Sequence, residues 1–98
     1  MKKPFQNQRF LTAGVYTRIP LRLQLTMWML TDEMKEADYL QIFELQKIPK
    51  GILIVHKQEV PPYEHALLLR DFNMLDHNEK VYIIDDETHS TMLLAEEY

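Results

Sequence analysis

The sequence predicts a single α+β domain in which one principal helix packs on a mostly antiparallel sheet of five or six strands. Three observations predict this fold class. The chain has 98 residues, which is the length of one domain. One segment, residues 20–36, has helical periodicity, and several short runs rich in β-branched and aromatic residues are separated by turn residues.

The N-terminal part of the chain is predicted to be a flexible arm, residues 1–8, ahead of a domain formed by residues 9–98. The first strand is predicted at Arg9–Tyr16, where Gly14 marks a bulge or a close approach of another backbone. The principal helix then begins near Pro20, because proline is well suited to the first turn of a helix.

The remaining strands are predicted from short runs rich in apolar residues, with Pro49-Lys50-Gly51, Pro61-Pro62 and Asp85–Ser90 as the turns between them. The last of these runs is ambiguous, because its composition favours a helix and its place after a strand and a turn favours a hairpin partner. We assign it as a strand. The five predicted runs are Tyr39–Leu45, Ile52–His56, Tyr63–Arg70, Val81–Ile84 and Thr91–Tyr98.

The predicted helix is apolar on two opposite sides. At 100° per residue, one stripe contains Leu23, Met27, Leu30 and Met34. A second stripe on the opposite side contains Leu21, Leu25 and Trp28. A helix that lies on one sheet needs only one apolar side, so something other than the sheet is expected to cover the second stripe.

Two kinds of cover are open for the second stripe. The chain itself could supply it, with the Met74–Leu75 loop or the C-terminal run. Alternatively a partner protein could supply it, most simply a second copy across a two-fold axis, which would make a homodimer. Each of the three side chains would lose about 1.5–3 kcal/mol of burial if it stayed in water.

A second candidate site is the stretch HKQEVPPYEH, residues 56–65. On a strand, His56 and Glu59 point to opposite faces, whereas a hairpin could bring His56 and His65 to the same face. Proline cannot form a tight two-residue hairpin turn, so a looser connection is expected at Pro61-Pro62, where the prolines end the strand and protect an edge. Two histidines are fewer than a zinc site needs, so His56, Glu59, His65 and His89 are weak metal or acid–base candidates.

Composition and charge argue against several functional classes. The chain has no cysteine, which fits a reducing, cytoplasmic compartment, and no apolar run is long enough to span a membrane. Its net charge is −4, with five basic residues and no acidic residue in the first 31 positions. These dispersed cations give poor support for nucleic-acid binding, and no cofactor is expected.

Several motifs along the chain form a recognisable set: RFLTxGV from Arg9, Leu23-Gln24 with Trp28, DYLQxFEL from Asp38, HxQExP from His56 and HSTMLL from His89. Together they resemble a family of small bacterial and phage-borne proteins, domain-of-unknown-function family 960. The resemblance covers residues 9–98 and implies a bacterial cytosolic protein with a phage or mobile-element origin, but it implies no activity and no catalytic residues.

The function predicted from the sequence is therefore that of a non-enzymatic protein-interaction module. Its binding residues are Leu21, Leu25 and Trp28, and its partner is another protein or a second copy of the chain. The alternative is a small metal-dependent enzyme that uses the histidines and carboxylates of the second half.

Overall fold

The structure is a computed structural model that describes residues 4–98. It contains two helices and six strands, and it ends in one turn of 3-10 helix at Ala95–Glu97. In chain order the elements are β1 (Gln8–Leu11), α1 (Ala13–Arg18), α2 (Leu21–Asp32), β2 (Leu40–Ile48), β3 (Gly51–Gln58), β4 (Tyr63–Arg70), β5 (Glu79–Asp85) and β6 (His89–Leu94).

The six strands form one sheet in the order β1-β6-β5-β2-β3-β4. Strand β1 runs parallel to β6, and every other neighbouring pair is antiparallel. Strand β4 spans the eight residues predicted for it, and the predicted α+β class with a mostly antiparallel sheet is confirmed.

The core lies between one face of the sheet and the two helices. From α2 it takes Leu23 and Met27, which are fully buried, and Leu30, which is 7% exposed; Met34, just beyond the end of α2, is also 7% exposed. From β3 it takes Ile52, Ile54 and His56, which alternate with half-buried residues on the opposite face as the strand period requires.

The prediction of a strand through Tyr16 is wrong beyond Leu11, because residues 13–18 form the helix α1. Thr12 ends the strand and caps the helix, since its hydroxyl accepts a hydrogen bond from the Val15 N–H at 3.2 Å. Gly14 is not in a bulge. Nor does another backbone approach it as predicted: the close neighbours are side chains, and a Cβ at this position would lie 2.7 Å from a carboxylate oxygen of Glu97.

The predicted flexible arm differs from the structure at residues 4–8, while residues 1–3 lie outside the described part of the chain. Phe5 is 1% exposed and belongs to the core. The side chain of Asn7 donates to Asp85 at 2.7 Å and accepts from the Ser90 hydroxyl at 2.6 Å. The single aromatic ring in this polar segment anchors it to the domain.

The helix α2 ends at Asp32, four residues before the predicted end at Glu36. Beyond Asp32 the backbone forms hydrogen bonds with the side chain of Gln58 on β3. The amide of Gln58 donates to the Glu36 carbonyl at 3.0 Å and accepts from the Asp38 N–H at 2.6 Å. These bonds replace those that a longer helix would make.

The C-terminal run is strand only as far as Leu94, so its assignment as strand is correct for residues 91–94 and wrong for the remainder. Glu97 folds the chain back, because its carboxylate accepts from the Leu94 N–H at 2.8 Å and from the Thr12 hydroxyl at 2.7 Å. These bonds, with a further one from the Gly14 N–H, lower the pKa of Glu97.

Two basic residues of the N-terminal third, Arg9 and Arg18, form ion pairs within the domain. Arg18 bonds Glu79 at 2.6 Å and Glu96 at 3.0 Å, and Arg9 bonds Asp32. Neither helix of the described residues has the length and apolar content needed to cross a bilayer.

We predict that Met27→Ala and Met29→Ala, made on the same helix, have very different effects on stability. Met27 is fully buried, so its truncation is expected to lower the free energy of unfolding by about 2–5 kcal/mol. Met29 is 46% exposed, so its truncation is expected to change it by less than about 1 kcal/mol. Urea unfolding of both variants measures the difference, and equal losses would contradict the orientation of α2.

Candidate functional site

The side of α2 opposite the core carries a row of exposed aliphatic side chains. Leu21 is 65% exposed, Leu25 is 59% exposed and Met29 is 46% exposed. They are spaced four residues apart and so lie one above the other along the helix. We call these three residues, together with Tyr16 and Met74 beside them, the α2 face.

Trp28, which was predicted to lie on the second apolar stripe with Leu21 and Leu25, is partly covered by its own chain. Its ring is half-buried against the core, and the guanidinium of Arg9 lies 4.5 Å from the ring centroid. Arg9 is held there by its ion pair with Asp32 at the end of the same helix. A cation over an indole ring is a favourable contact. Trp28 therefore borders the α2 face.

The N-terminal end of α2 borders an open groove of about 620 Å³. Its apolar lining includes Tyr16, Leu21 and Met74, of which Tyr16 is 78% exposed and Met74 is 71% exposed. Arg18 and Asp76 supply charges at its margin. The groove thus extends the apolar surface from α2 onto α1 and the loop before β5.

The Met74–Leu75 loop, which could have covered the second stripe, directs its two apolar side chains to different places. Leu75 is 1% exposed and enters the core, whereas Met74 points away from it. Among the described residues, no element lies over Leu21 or Leu25. The sequence reasoning missed Met29, although its spacing of four residues from Leu25 would have revealed it. Tyr16 was missed because α1 was predicted as a strand.

The histidine at the start of the HKQEVPPYEH stretch belongs to a buried polar network. His56 is 1% exposed, and its Nε2 lies 2.7 Å from Oε1 of Gln41, so Nε2 carries the proton and donates it. The amide of Gln41 then donates to Gln58 at 2.6 Å, and the amide of Gln58 donates to the Pro61 carbonyl at 2.9 Å. The network links the side chains of Gln41, His56 and Gln58 to the backbone that precedes β2 and to the backbone that follows β3.

The surroundings of His56 favour its neutral form. Its ring stacks on Phe43 with centroids 4.3 Å apart, and Nδ1 has no hydrogen-bond partner. Burial, and next the repulsion from His65, lower the pKa of His56 from about 6.5 to about 4. A proton on Nδ1 would be a buried donor with no acceptor.

His65 lies opposite His56 in the register of β3 and β4, on the same face of the sheet. The four-residue connection between the strands is looser than a two-residue turn, as predicted. The two rings nevertheless have different environments, because His65 is exposed and stacks on Tyr63 with centroids 6.4 Å apart. Glu59 is exposed in the connection.

The remaining histidine of the predicted set, His89, lies on β6, and two strands, β5 and β2, separate it from the strand that carries His56. Its Nε2 is 3.1 Å from the carboxylate of Asp86, within the turn between β5 and β6. The backbone N–H of His89 also donates to Asp86, and this bond is the main reason that the pKa of Asp86 is lowered. Within residues 4–98 no three side chains are arranged to share a metal ion.

We predict that acid destabilises the protein through His56. The pKa of this group is lower in the folded chain than in the unfolded chain, so the unfolded state binds more protons between pH 6.5 and pH 4. Stability is therefore fully present above pH 6.5 and is lost as the pH falls towards 4. At about 1.4 kcal/mol per pKa unit, the loss is on the order of 3 kcal/mol.

Two measurements check this prediction. An NMR titration of the folded protein is expected to show the His56 ring still neutral at pH 5.5. The difference in unfolding free energy between pH 7 and pH 4.5 is expected to shrink in His56→Gln and to persist in His65→Gln. A His56 ring that titrates near pH 6.5 would contradict the buried, neutral assignment.

Comparison with known proteins places this fold and its residues in a family. No curated protein matches the chain. The structure is similar to a crystal structure of a protein of unknown function from Enterococcus faecalis, with a TM-score of 0.89 and 22% sequence identity over 100% of this chain and 98% of that chain. This likeness concerns the fold. The model of the DUF960 family, described as Staphylococcal protein of unknown function, matches residues 8–97, and the chain therefore belongs to that family.

Proposed function

We propose that this protein is a non-enzymatic interaction module whose α2 face binds the apolar side of a helix in another protein. The observation that carries this proposal is the row of Leu21, Leu25 and Met29, which are 65%, 59% and 46% exposed on the side of α2 that faces away from the core. Single exposed leucines are ordinary on protein surfaces, but a contiguous apolar patch is typical of a binding site.

The shape of the α2 face suits a helical partner. Residues spaced by four along a helix form a ridge, and such a ridge packs into the groove between the side chains of another helix. The groove beside Leu21, Tyr16 and Met74 offers space for one large apolar side chain at the end of that contact. Burial of each aliphatic side chain would contribute about 1.5–3 kcal/mol before the cost of association.

The charged residues around the α2 face fit the rim of an interface. Arg22 and Glu33 are exposed at opposite ends of the helix. Arg22 also lies 5.7 Å from the ring centroid of Phe72, so it is positioned before a partner arrives. A polar rim around an apolar centre is the usual arrangement of protein interfaces.

The proposal places this binding in the bacterial cytoplasm, the compartment that the cysteine-free sequence predicts. The proposal also includes a phage or mobile-element origin, which the family resemblance implies. A second copy of the chain is one partner that the α2 face could bind, because the ridge of one copy could pack against the same ridge of another.

We predict that Leu25→Asp leaves the domain folded. Its side chain is 59% exposed, so the charge stays in water and the free energy of unfolding is expected to fall by less than about 1 kcal/mol. The matched control is Leu23→Asp, which places a charge in the fully buried core and is expected to prevent folding. Circular dichroism and urea unfolding measure both variants. Loss of folding in Leu25→Asp would show that the chain itself covers this position.

Binding is tested with a photo-crosslinking amino acid at position 25 in a staphylococcal host, with position 87, at the tip of the β5–β6 turn, as the control. Position 25 is expected to give a discrete adduct whose partner mass spectrometry identifies, and Leu21→Asp is expected to reduce its yield at least fivefold. An adduct of twice the mass of the chain would identify a second copy as the partner. Equal adduct patterns at positions 25 and 87 would contradict the proposal.

A further inference from the structure

Strand β4 forms one edge of the sheet, and among residues 4–98 no element pairs with its outer side. The other edge strand, β1, has only four residues, whereas β4 has eight and spans about 27 Å. An unpaired edge of this length presents a row of backbone donors and acceptors that another strand can use.

The hydrogen bonds of the sheet identify which groups of β4 are free. The N–H of Asp71 donates to the Lys50 carbonyl at 2.9 Å, which makes these residues a hydrogen-bonded pair just beyond the β3–β4 register. Because hydrogen-bonded pairs alternate along antiparallel strands, every second residue back from Asp71 bonds to β3. The backbone groups that point outward therefore belong to Glu64, Ala66, Leu68 and Arg70.

The centre of β4 lacks the usual protections of an edge strand. Natural edges are protected by charged side chains, especially lysine, by proline or by bulges; in YEHALLLR the charged residues Glu64 and Arg70 lie towards the two ends, and there is no lysine, proline or glycine. Pro61 and Pro62, which were predicted to protect an edge, lie in the connection before the strand begins. The centre of β4 is the run Ala66–Leu69, which is apolar on both faces.

From these observations we propose that two copies of this chain form a homodimer by antiparallel pairing of β4 with β4 of the second copy. This inference goes beyond the proposed function, because it uses a different surface from the α2 face. The two-fold axis passes through the sheet at Leu67, and the two six-stranded sheets become one. Each copy would exchange hydrogen bonds through the four outward-facing residues of its edge.

In this register, the side chains that lie opposite one another across the two-fold axis are complementary in charge and in size. About an axis at Leu67, Glu64 lies opposite Arg70 of the partner subunit, and Ala66 lies opposite Leu68 of the partner subunit. Glu64 and Arg70 are both exposed, share one face of the sheet and form no ion pair with another described residue. A shift of two residues in either direction removes both opposite-charge pairs. The strand is thus complementary to itself in one register.

The interface is small, so the dimer is expected to be in equilibrium with the monomer. Pairing of eight residues buries less than a standard interface of roughly 1,600 Å², and exposed ion pairs contribute at most about 1 kcal/mol each. The charges therefore select the register, while backbone hydrogen bonds and the apolar centre of the strand supply most of the affinity.

Sedimentation equilibrium from about 10 μM to about 1 mM tests the inference, and a rising dimer fraction is expected. Ala66→Pro removes an outward N–H, which the monomer does not use, so this variant is expected to stay folded and monomeric. Glu64→Arg and Arg70→Glu each place like charges opposite one another and are expected to weaken the dimer roughly tenfold. The double variant Glu64→Arg/Arg70→Glu is expected to restore it.

Two results would overturn this inference. One is a monomer at every concentration up to about 1 mM. The other is a dimer that Ala66→Pro and the single charge reversals leave intact and that Leu25→Asp abolishes, since that would assign the contact between copies to the α2 face. Because Leu25 is distant in sequence from β4 and lies on another element, failure of the edge pairing and failure of α2 binding give different results.

Discussion

A helix that lies on one sheet can bury only one of its sides, and this constraint governs the structure of the protein. In α2 the stripe of Leu23 and Met27 is buried against the sheet, and the opposite stripe of Leu21 and Leu25 is left at the surface. The chain of 98 residues forms a single layer of helices on the sheet, so no described element remains to cover the second stripe. The exposed stripe is thus a direct consequence of an architecture of two layers.

The buried polar network of Gln41, His56 and Gln58 joins the helix layer to the sheet. Gln58 binds backbone groups at Glu36, Asp38 and Pro61, and Gln41 links it to His56. Buried polar groups are costly unless they are paired, so nearly every member of the network depends on the others. The network satisfies backbone groups of the chain after it leaves α2 and before it enters β2.

Pairing through the β4 edge, as we propose, would affect how the α2 face binds its partner. In the dimer paired through β4, the two-fold axis is perpendicular to the sheet, so the helix layers of both copies lie on the same side of it. Both α2 faces are then presented in one direction. A partner with two helical segments, or two copies of a partner, could bind both faces at once, and the effective concentration of the second contact would strengthen the first.

The sequence by itself determined the α+β class, strand β4 and the two apolar stripes of α2, because helical and strand periodicities are local and follow from side chains a few residues apart. The tertiary structure decided the rest. Phe5 is anchored in a core built from distant strands, α1 is held by Glu97 some eighty residues away, and α2 ends where Gln58 binds the backbone. No local pattern contains these contacts. Likewise, two apolar stripes were visible in the sequence, but only the assembled sheet could select which of them to bury.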